Sequence, residues 1–391
     1  MDRKIYLDNA STTYVSTEVI NEMMPCFNTI YGNPGSVHTL GRDAMAIVDR
    51  ARDRVKDAIN AKKANEIYFT SGGTEADNLA ILGVAHANVK KGKHIITSQI
   101  EHHAILNACK QLEQEGFEVT YLPVNKEGLV DIAELLHAIK KTTTLISIMA
   151  VNNEVGTIQN IKTIAKIAHD YNILFHTDAV QAIGVMKIDV QDMEIDLLSM
   201  SSHKIHGPKG VGALYVKDGV QIAPLTYGGE SQERGLRAGT ENVPGIAGFG
   251  KAIEIATRNY ITNAKKLKAI REYFIEKLSE KVPYFCVNGH PYQKSNAIVN
   301  VSFYGVEGES MLMLLDLAGV YVSTGSACTS KSLLPSHVLK AMGIADDIAR
   351  GSIRFSFGPN ISKSDVDYVV DKIKTVVEKL RAISPIQAGR I

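Results

Sequence analysis

The run Thr144-Leu145-Ile146-Ser147-Ile148-Met149-Ala150 is almost continuously apolar. A strand with one wet face alternates apolar and polar residues, so this run predicts a parallel strand covered on both faces. Short runs of the same kind lie at 66–70, 94–98, 118–122, 173–177, 195–200 and 211–216. Most are separated by helical spacing, plainest from Leu40 to Ile59, where Ala44, Ile47, Val48, Ala51, Val55 and Ile59 share one face. Strands alternating with helices predict an α/β fold built on a mostly parallel sheet. Around Pro244 the pattern changes to a long helical stretch, from Ile246 to roughly Leu278, expected to bridge two bodies. Beyond it strands at 297–301 and 353–357 and helices at 308–318 and 363–380 read as a smaller α+β unit.

A chain of 391 residues has room for two such units. Lys+Arg of 43 against Asp+Glu of 42 leaves no global field to attract nucleic acid or an anionic membrane. The opening residues Met1–Asp8 lack an apolar h-region, and no run reaches membrane-spanning length, so a cytoplasmic protein is expected. The four cysteines, Cys26, Cys109, Cys286 and Cys328, form no CxxC pair. They read as free thiols with no metal site among them.

In parallel sheets ligands bind beyond the carboxyl ends of strands, and four such ends are chemically loaded. Ser71-Gly72-Gly73-Thr74 leads from a strand into a helix, the arrangement of a phosphate cradle, although alone it is equally a capped helix start. Glu101-His102-His103 follows the 94–98 run; the two imidazoles point in different directions and suit ring stacking or proton exchange better than joint metal ligation. Asp178, with Gln181 one helical turn on, ends an apolar strand, where a carboxylate needs a cationic partner or serves as a cap. Finally Ser199-Met-Ser201-Ser-His203-Lys204-Ile-His206-Gly-Pro-Lys209-Gly210 presents a lysine just after a buried strand, among phosphate-binding side chains. Each stretch alone has an ordinary structural reading; together they supply a phosphate cradle, a stacking imidazole, a carboxylate for a ring nitrogen and a Schiff-base lysine. Cys328 lies in a run of small residues, 322–332, and is expected to ride a mobile loop as a nucleophile.

These stretches, with Tyr6-Leu-Asp-Asn-Ala10, Tyr31-Gly-Asn33-Pro-Gly-Ser36, Val151-Asn152-Asn-Glu-Val-Gly156, Arg237-Ala-Gly-Thr240-Glu-Asn242 and Arg354-Phe-Ser356, resemble the NifS/IscS-type cysteine desulfurases nearly end to end. That group belongs to the class V aminotransferases of fold-type I. The resemblance implies a large domain over 14–257 with a seven-stranded-type sheet, and a small α+β domain from 1–13 and 258–391 carrying the Cys328 loop. It implies pyridoxal 5'-phosphate as cofactor, linked to Lys204, with Asp178 at the ring nitrogen, Gln181 at the ring hydroxyl and His102 stacked on the ring. Gly73, Thr74, Ser201 and His203 would hold the phosphate, completed by Thr240 from the other subunit of a homodimer. Asn152 and Arg354, with Asn33 nearby, would bind the carboxylate of L-cysteine.

Under the same resemblance Lys204 removes the α-proton and Cys328 accepts the substrate sulfur, leaving alanine. The Cys328 thiolate forms either by losing its proton to His102 or in a locally positive environment. The long 323–336 loop is similar to that of members that pass sulfur to an iron–sulfur scaffold, and Cys328 could also ligate a transferred cluster. The carboxy-terminal stretch 383–391 departs from the tail of housekeeping members, and 237–242 leans toward the NifS side. Two rival readings are another class V enzyme, such as a selenocysteine lyase or aminotransferase, and a degenerate sulfur-carrying scaffold without catalysis.

Overall fold

The computed structural model describes residues 3–324 and 335–384. Cys328 and the stretches 325–334 and 385–391 lie outside the described residues. A short strand β1 (Ile5–Tyr6) precedes the main sheet, which comprises β2 (Ile67–Thr70), β3 (His94–Ser98), β4 (Glu118–Leu122), β5 (Thr143–Ser147), β6 (Leu174–Asp178), β7 (Leu197–Ser201) and β8 (Gly212–Val216). Their order is β2-β8-β7-β6-β5-β3-β4. β3 pairs in parallel with β4 and β5, β5 with β6 and β6 with β7, whereas β8 is antiparallel to both its neighbours.

The apolar run around Thr144 is buried throughout, between the two cores that cover the sheet faces. Burial on both faces is why it shows no alternation. The reversed β8 has a local cause. Ser202–Val211 holds only a short 3-10 turn, too little for the crossover helix a parallel return requires, so the chain doubles back beside β7.

A 39-residue helix, Val243–Lys281, follows. Asn242 caps it by accepting from the Gly245 amide, and Pro244 sits in its first turn, where its missing N–H costs nothing. Its first half buries Ile246, Phe249 and Ile253 in the core under the main sheet; its second half buries Ile270, Phe274 and Leu278 in a separate core. That second core lies against an antiparallel sheet of β9 (Phe285–Asn288), β10 (Ile298–Phe303) and β12 (Ser352–Ser356), ordered β12-β10-β9, and against the carboxy-terminal helix Lys363–Ile383. β11 (Val320–Tyr321) pairs in parallel with β1, drawing the amino terminus into the same body.

Phe274 is fully buried, its ring 4.9 Å from Phe355 and 5.4 Å from Phe357. Phe274→Ala is expected to cost about 3–5 kcal/mol. Because the two cores are separate, the loss should fall on one of them: amide exchange should accelerate in β10 and β12 and stay slow in β5–β7. Uniform acceleration would contradict two separately packed bodies.

Candidate active site

Because β8 runs against both β2 and β7, the carboxyl ends of β2, β3, β6 and β7 share one edge of the sheet. Thr70 and Ser201 both pair with Gly212 from opposite sides. A Cβ on Gly212 would stand 2.5 Å from the Met200 carbonyl oxygen and 2.7 Å from the Gly72 carbonyl carbon, so only glycine allows this approach. The chain leaving β2 then enters the helix Gly73–Ala87, whose amino end borders a cleft of about 490 Å³. Gly73, Thr74, Ser201 and His203 all line it, together with Ser11 and Thr12.

Two observations bear on what the cleft fits. The Ser201 hydroxyl is buried without a hydrogen-bond partner. A Cβ on Gly73 would lie 2.8 Å from Val180, so the floor depends on a bare α-carbon. An unpaired donor, a glycine floor and a helix amino terminus match a phosphate group. His203 Nδ1 lies 3.1 Å from Thr12 Oγ1, and burial, with Lys204 and Lys209 nearby, pushes its pKa down to about 4.

Lys204 ends the 3-10 turn after β7, and its Nζ donates to the carbonyls of Ala10 (2.5 Å) and Ser11 (2.8 Å). Gln181 Nε2 donates to the same Ala10 carbonyl at 2.9 Å, so the two side chains meet there. Asp178 closes β6 and accepts from the Val180 amide at 2.8 Å. Burial raises its pKa to about 6, opposed by that hydrogen bond and by Lys204. The carboxylate caps the turn and also feels the positive charge of Lys204, so the two roles are not exclusive.

His102 caps the helix His103–Gln114, its Nδ1 accepting from the Ala104 amide at 3.2 Å. That bond leaves the proton of the neutral ring on Nε2. Burial first, and Lys204 second, push its pKa down to about 4, so the resting ring is neutral, a hydrogen-bond donor through Nε2 and a poor base. His103 turns away as expected, stacking 4.6 Å from His337.

Arg354 on β12 donates through Nη2 to Asp8 (2.9 Å) and Ser11 (2.6 Å) and through Nη1 to the Asn153 carbonyl (3.0 Å), while its Nε is buried and unpaired. Asn152 is engaged on both sides: Oδ1 accepts from the Glu154 and Val155 amides of its own turn, and Nδ2 donates to the Ile100 carbonyl on the segment after β3. Asn33 sits on an exposed turn, its Oδ1 accepting from the Gly35 amide, and neither it nor the exposed Thr240 is among the residues lining the cleft. Of the other cysteines, burial pushes the Cys109 thiol up to about 12 and raises that of Cys26, which makes both poor nucleophiles.

The class-V aminotransferase profile matches residues 5–369. The chain belongs to the class-V aminotransferase family. It is 53% identical over 385 residues to the cysteine desulfurase IscS of Methanosarcina thermophila, spanning 98% of this chain and 95% of that one. The cysteine desulfurase IscS of Dictyoglomus turgidum is 51% identical over 385 residues, spanning 98% and 97%. A solved NifS-like protein superposes with a TM-score of 0.91 at 38% identity, covering 96% of this chain and 100% of that one. The α/β architecture with its mostly parallel seven-stranded sheet is thus the family's own. Class-V enzymes are pyridoxal-phosphate-dependent as a group.

Sequence reasoning passed over Glu101, although it follows an apolar strand much as Asp178 ends one. Glu101 is fully buried, takes the Ser98 hydroxyl (2.6 Å) and the Met149 amide (3.0 and 3.1 Å), and carries the His102 cap as its neighbour. Burial raises its carboxyl from the usual 4.5 to about 8. The folded chain therefore holds this proton where the unfolded chain has released it, and stability falls as pH rises from about 4.5 to about 8. Glu101→Gln, which cannot ionise, should flatten that part of the profile and raise the melting temperature at pH 8.5 relative to pH 5 by a few degrees. Parallel profiles for the two proteins, followed by calorimetry, would refute the assignment.

Proposed function

We infer that the chain is a pyridoxal-phosphate-dependent cysteine desulfurase. The reaction moves the sulfur of L-cysteine to the thiol of Cys328, yielding L-alanine and a Cys328 persulfide. Atoms and electrons balance without an outside oxidant, because the sulfur passes from one carbon–sulfur bond into one sulfur–sulfur bond. The observation that carries the reading is the meeting of Lys204 and Gln181 at the Ala10 carbonyl, beside buried Asp178 and a phosphate-shaped cleft. Extensive identity to proteins named cysteine desulfurase supports the same conclusion.

When bound, pyridoxal phosphate supplies an electron sink for the pair left on the substrate α-carbon. Gly73, Thr74, Ser201 and His203 would hold its phosphate, and Asp178 would meet the ring nitrogen, whose positive charge would favour the ionised carboxylate against the burial that raises its pKa. Gln181 would offer its amide to the ring hydroxyl. Lys204 would anchor the ring, and its amine would be the base for the α-proton. His102 would lie against the ring and offer its Nε2–H as a hydrogen bond. A ring titrating near 4 is a weak acceptor at neutral pH, which disfavours His102 as the group that takes the Cys328 proton. Arg354 takes the substrate carboxylate through its unpaired Nε, with Asp8 yielding its place; Asn152 acts by shaping the adjoining turn, and Asn33 lies at the margin.

Two further features are part of the proposal. The first is a division into units of 14–257 and of 1–13 with 258–391. The second is a homodimer in which Thr240 completes the partner's phosphate site. An apolar surface supports the dimer: Met24, Phe27, Tyr31, Val37 and Leu40 are all at least 40% exposed within one stretch. An iron–sulfur scaffold is the expected sulfur acceptor.

Cys328→Ala should keep the visible absorption of the bound cofactor and its change on adding L-cysteine, while alanine formation drops by about a hundredfold or more. An unchanged alanine yield would favour sulfur removal that does not need the Cys328 thiol, and loss of the amino group to a keto acid without alanine would favour a class V aminotransferase. Turnover of selenocysteine alone would favour a lyase, and no reaction with a full cofactor spectrum in the unaltered chain would revive a scaffold.

A further inference from the structure

The segment leading to the long helix carries Thr240 and is fastened mostly by side chains outside the cleft. Glu233 is 5% exposed, and its carboxylate takes both arms of the Arg52 guanidinium, Nη2 at 2.7 Å and Nη1 at 2.8 Å, together with the Phe69 amide at 2.9 Å. Arg52 Nη1 also donates to the Ile67 carbonyl (2.6 Å), and its guanidinium lies 4.8 Å from the Phe69 ring centre. Arg234 donates to the same carbonyl (2.7 Å) and stacks 4.0 Å from the Tyr68 ring centre. β2 is an edge strand, and its outward backbone groups are thus met by this segment.

The same segment is strained. Glu233 and Arg234 have φ of 40° and 55°, in the left-handed region that side-chain-bearing residues seldom adopt, before Gly235 at 79°. Such a conformation persists where surrounding contacts over-determine it. Further clasps follow: Gln232 Oε1 accepts from the Gly239 amide (2.6 Å), and Arg237 pairs with Glu75 (2.9 Å), whose other oxygen accepts from the Ser71 amide (2.6 Å). One strap is therefore bolted both to β2 and to the turn that forms its own subunit's phosphate cradle, and the exposed Thr240 stands one residue past the last clasp. Burying an ion pair is costly, and apolar residues could fill the space as well; what the pair adds here is geometry.

We propose that Arg52 and Glu233 are positioning residues for the phosphate sites of the dimer. Their ion pair fixes the 226–242 strap on β2, so that Thr240 reaches the partner's cofactor phosphate in register with the 71–74 cradle of its own subunit. The proposal rests on the reading that Thr240 serves the partner's site.

The test compares the holoenzyme with Arg52→Lys, Glu233→Gln and Thr240→Val, measuring the affinity for pyridoxal phosphate and for pyridoxal, which lacks the phosphate. Both ion-pair variants should weaken pyridoxal phosphate by about tenfold, leave pyridoxal unchanged and remain dimers in sedimentation, as Thr240→Val does. Equal weakening of the two ligands would reduce the pair to a general fold support and overturn the proposal, as would unchanged affinities beside a weakened Thr240→Val. If Thr240→Val itself leaves the ratio of the two affinities unaltered, the assignment of Thr240 fails instead. Where Glu233→Gln does not yield folded protein, Arg52→Lys decides alone, since it keeps the charge and loses only the fork.

Discussion

The return of β8 between β2 and β7 is the constraint from which the site follows. A strand that reverses there turns β2 parallel to β7 across one intervening strand, so both end at the same edge with Gly212 between them. The missing Cβ of Gly212 lets the Gly72 backbone settle against β7. Without that approach the amino end of the helix Gly73–Ala87 and the Ser201 hydroxyl would not border one cleft. The phosphate-shaped space is thus a product of strand direction as much as of residue type.

Beneath that edge lies a set of buried polar groups whose charged forms are disfavoured. Ser147, His176 and Ser199 stand side by side on β5, β6 and β7, joined by hydrogen bonds of 2.8 and 3.0 Å. Burial pushes His176 down to about 3 and raises the carboxyls of Asp77, Glu101 and Asp178, with Asp178 adding to the rise in the other two. A cation docked at Asp178 finds a carboxylate whose charge the Val180 amide and Lys204 only partly stabilise against burial. That is a favourable place for a protonated ring nitrogen.

The second core builds the opposite wall. Ser356 on β12 accepts from the Ala10 amide and donates to the Leu7 carbonyl, which holds residues 8–11 where Lys204, Gln181 and Arg354 reach them. The long helix Val243–Lys281 sets the distance between the two walls, because it is packed into both cores.

The α/β class and the long helix were legible in the chain. Periodicity and residue type are local properties, and a resemblance carried by several ordered motifs adds to them. The antiparallel course of β8, the neutral state of His102, the engagement of Asn152 by its own turn and by Ile100, and the burial of Glu101 were not. Each depends on which groups, distant in sequence, come to share a cavity or a backbone amide, and no spacing rule encodes that. The clearest case is Arg52 and Glu233, which look like two unremarkable surface charges in the chain. Only the closing of the strap over the edge strand β2 buries them together and makes their geometry matter.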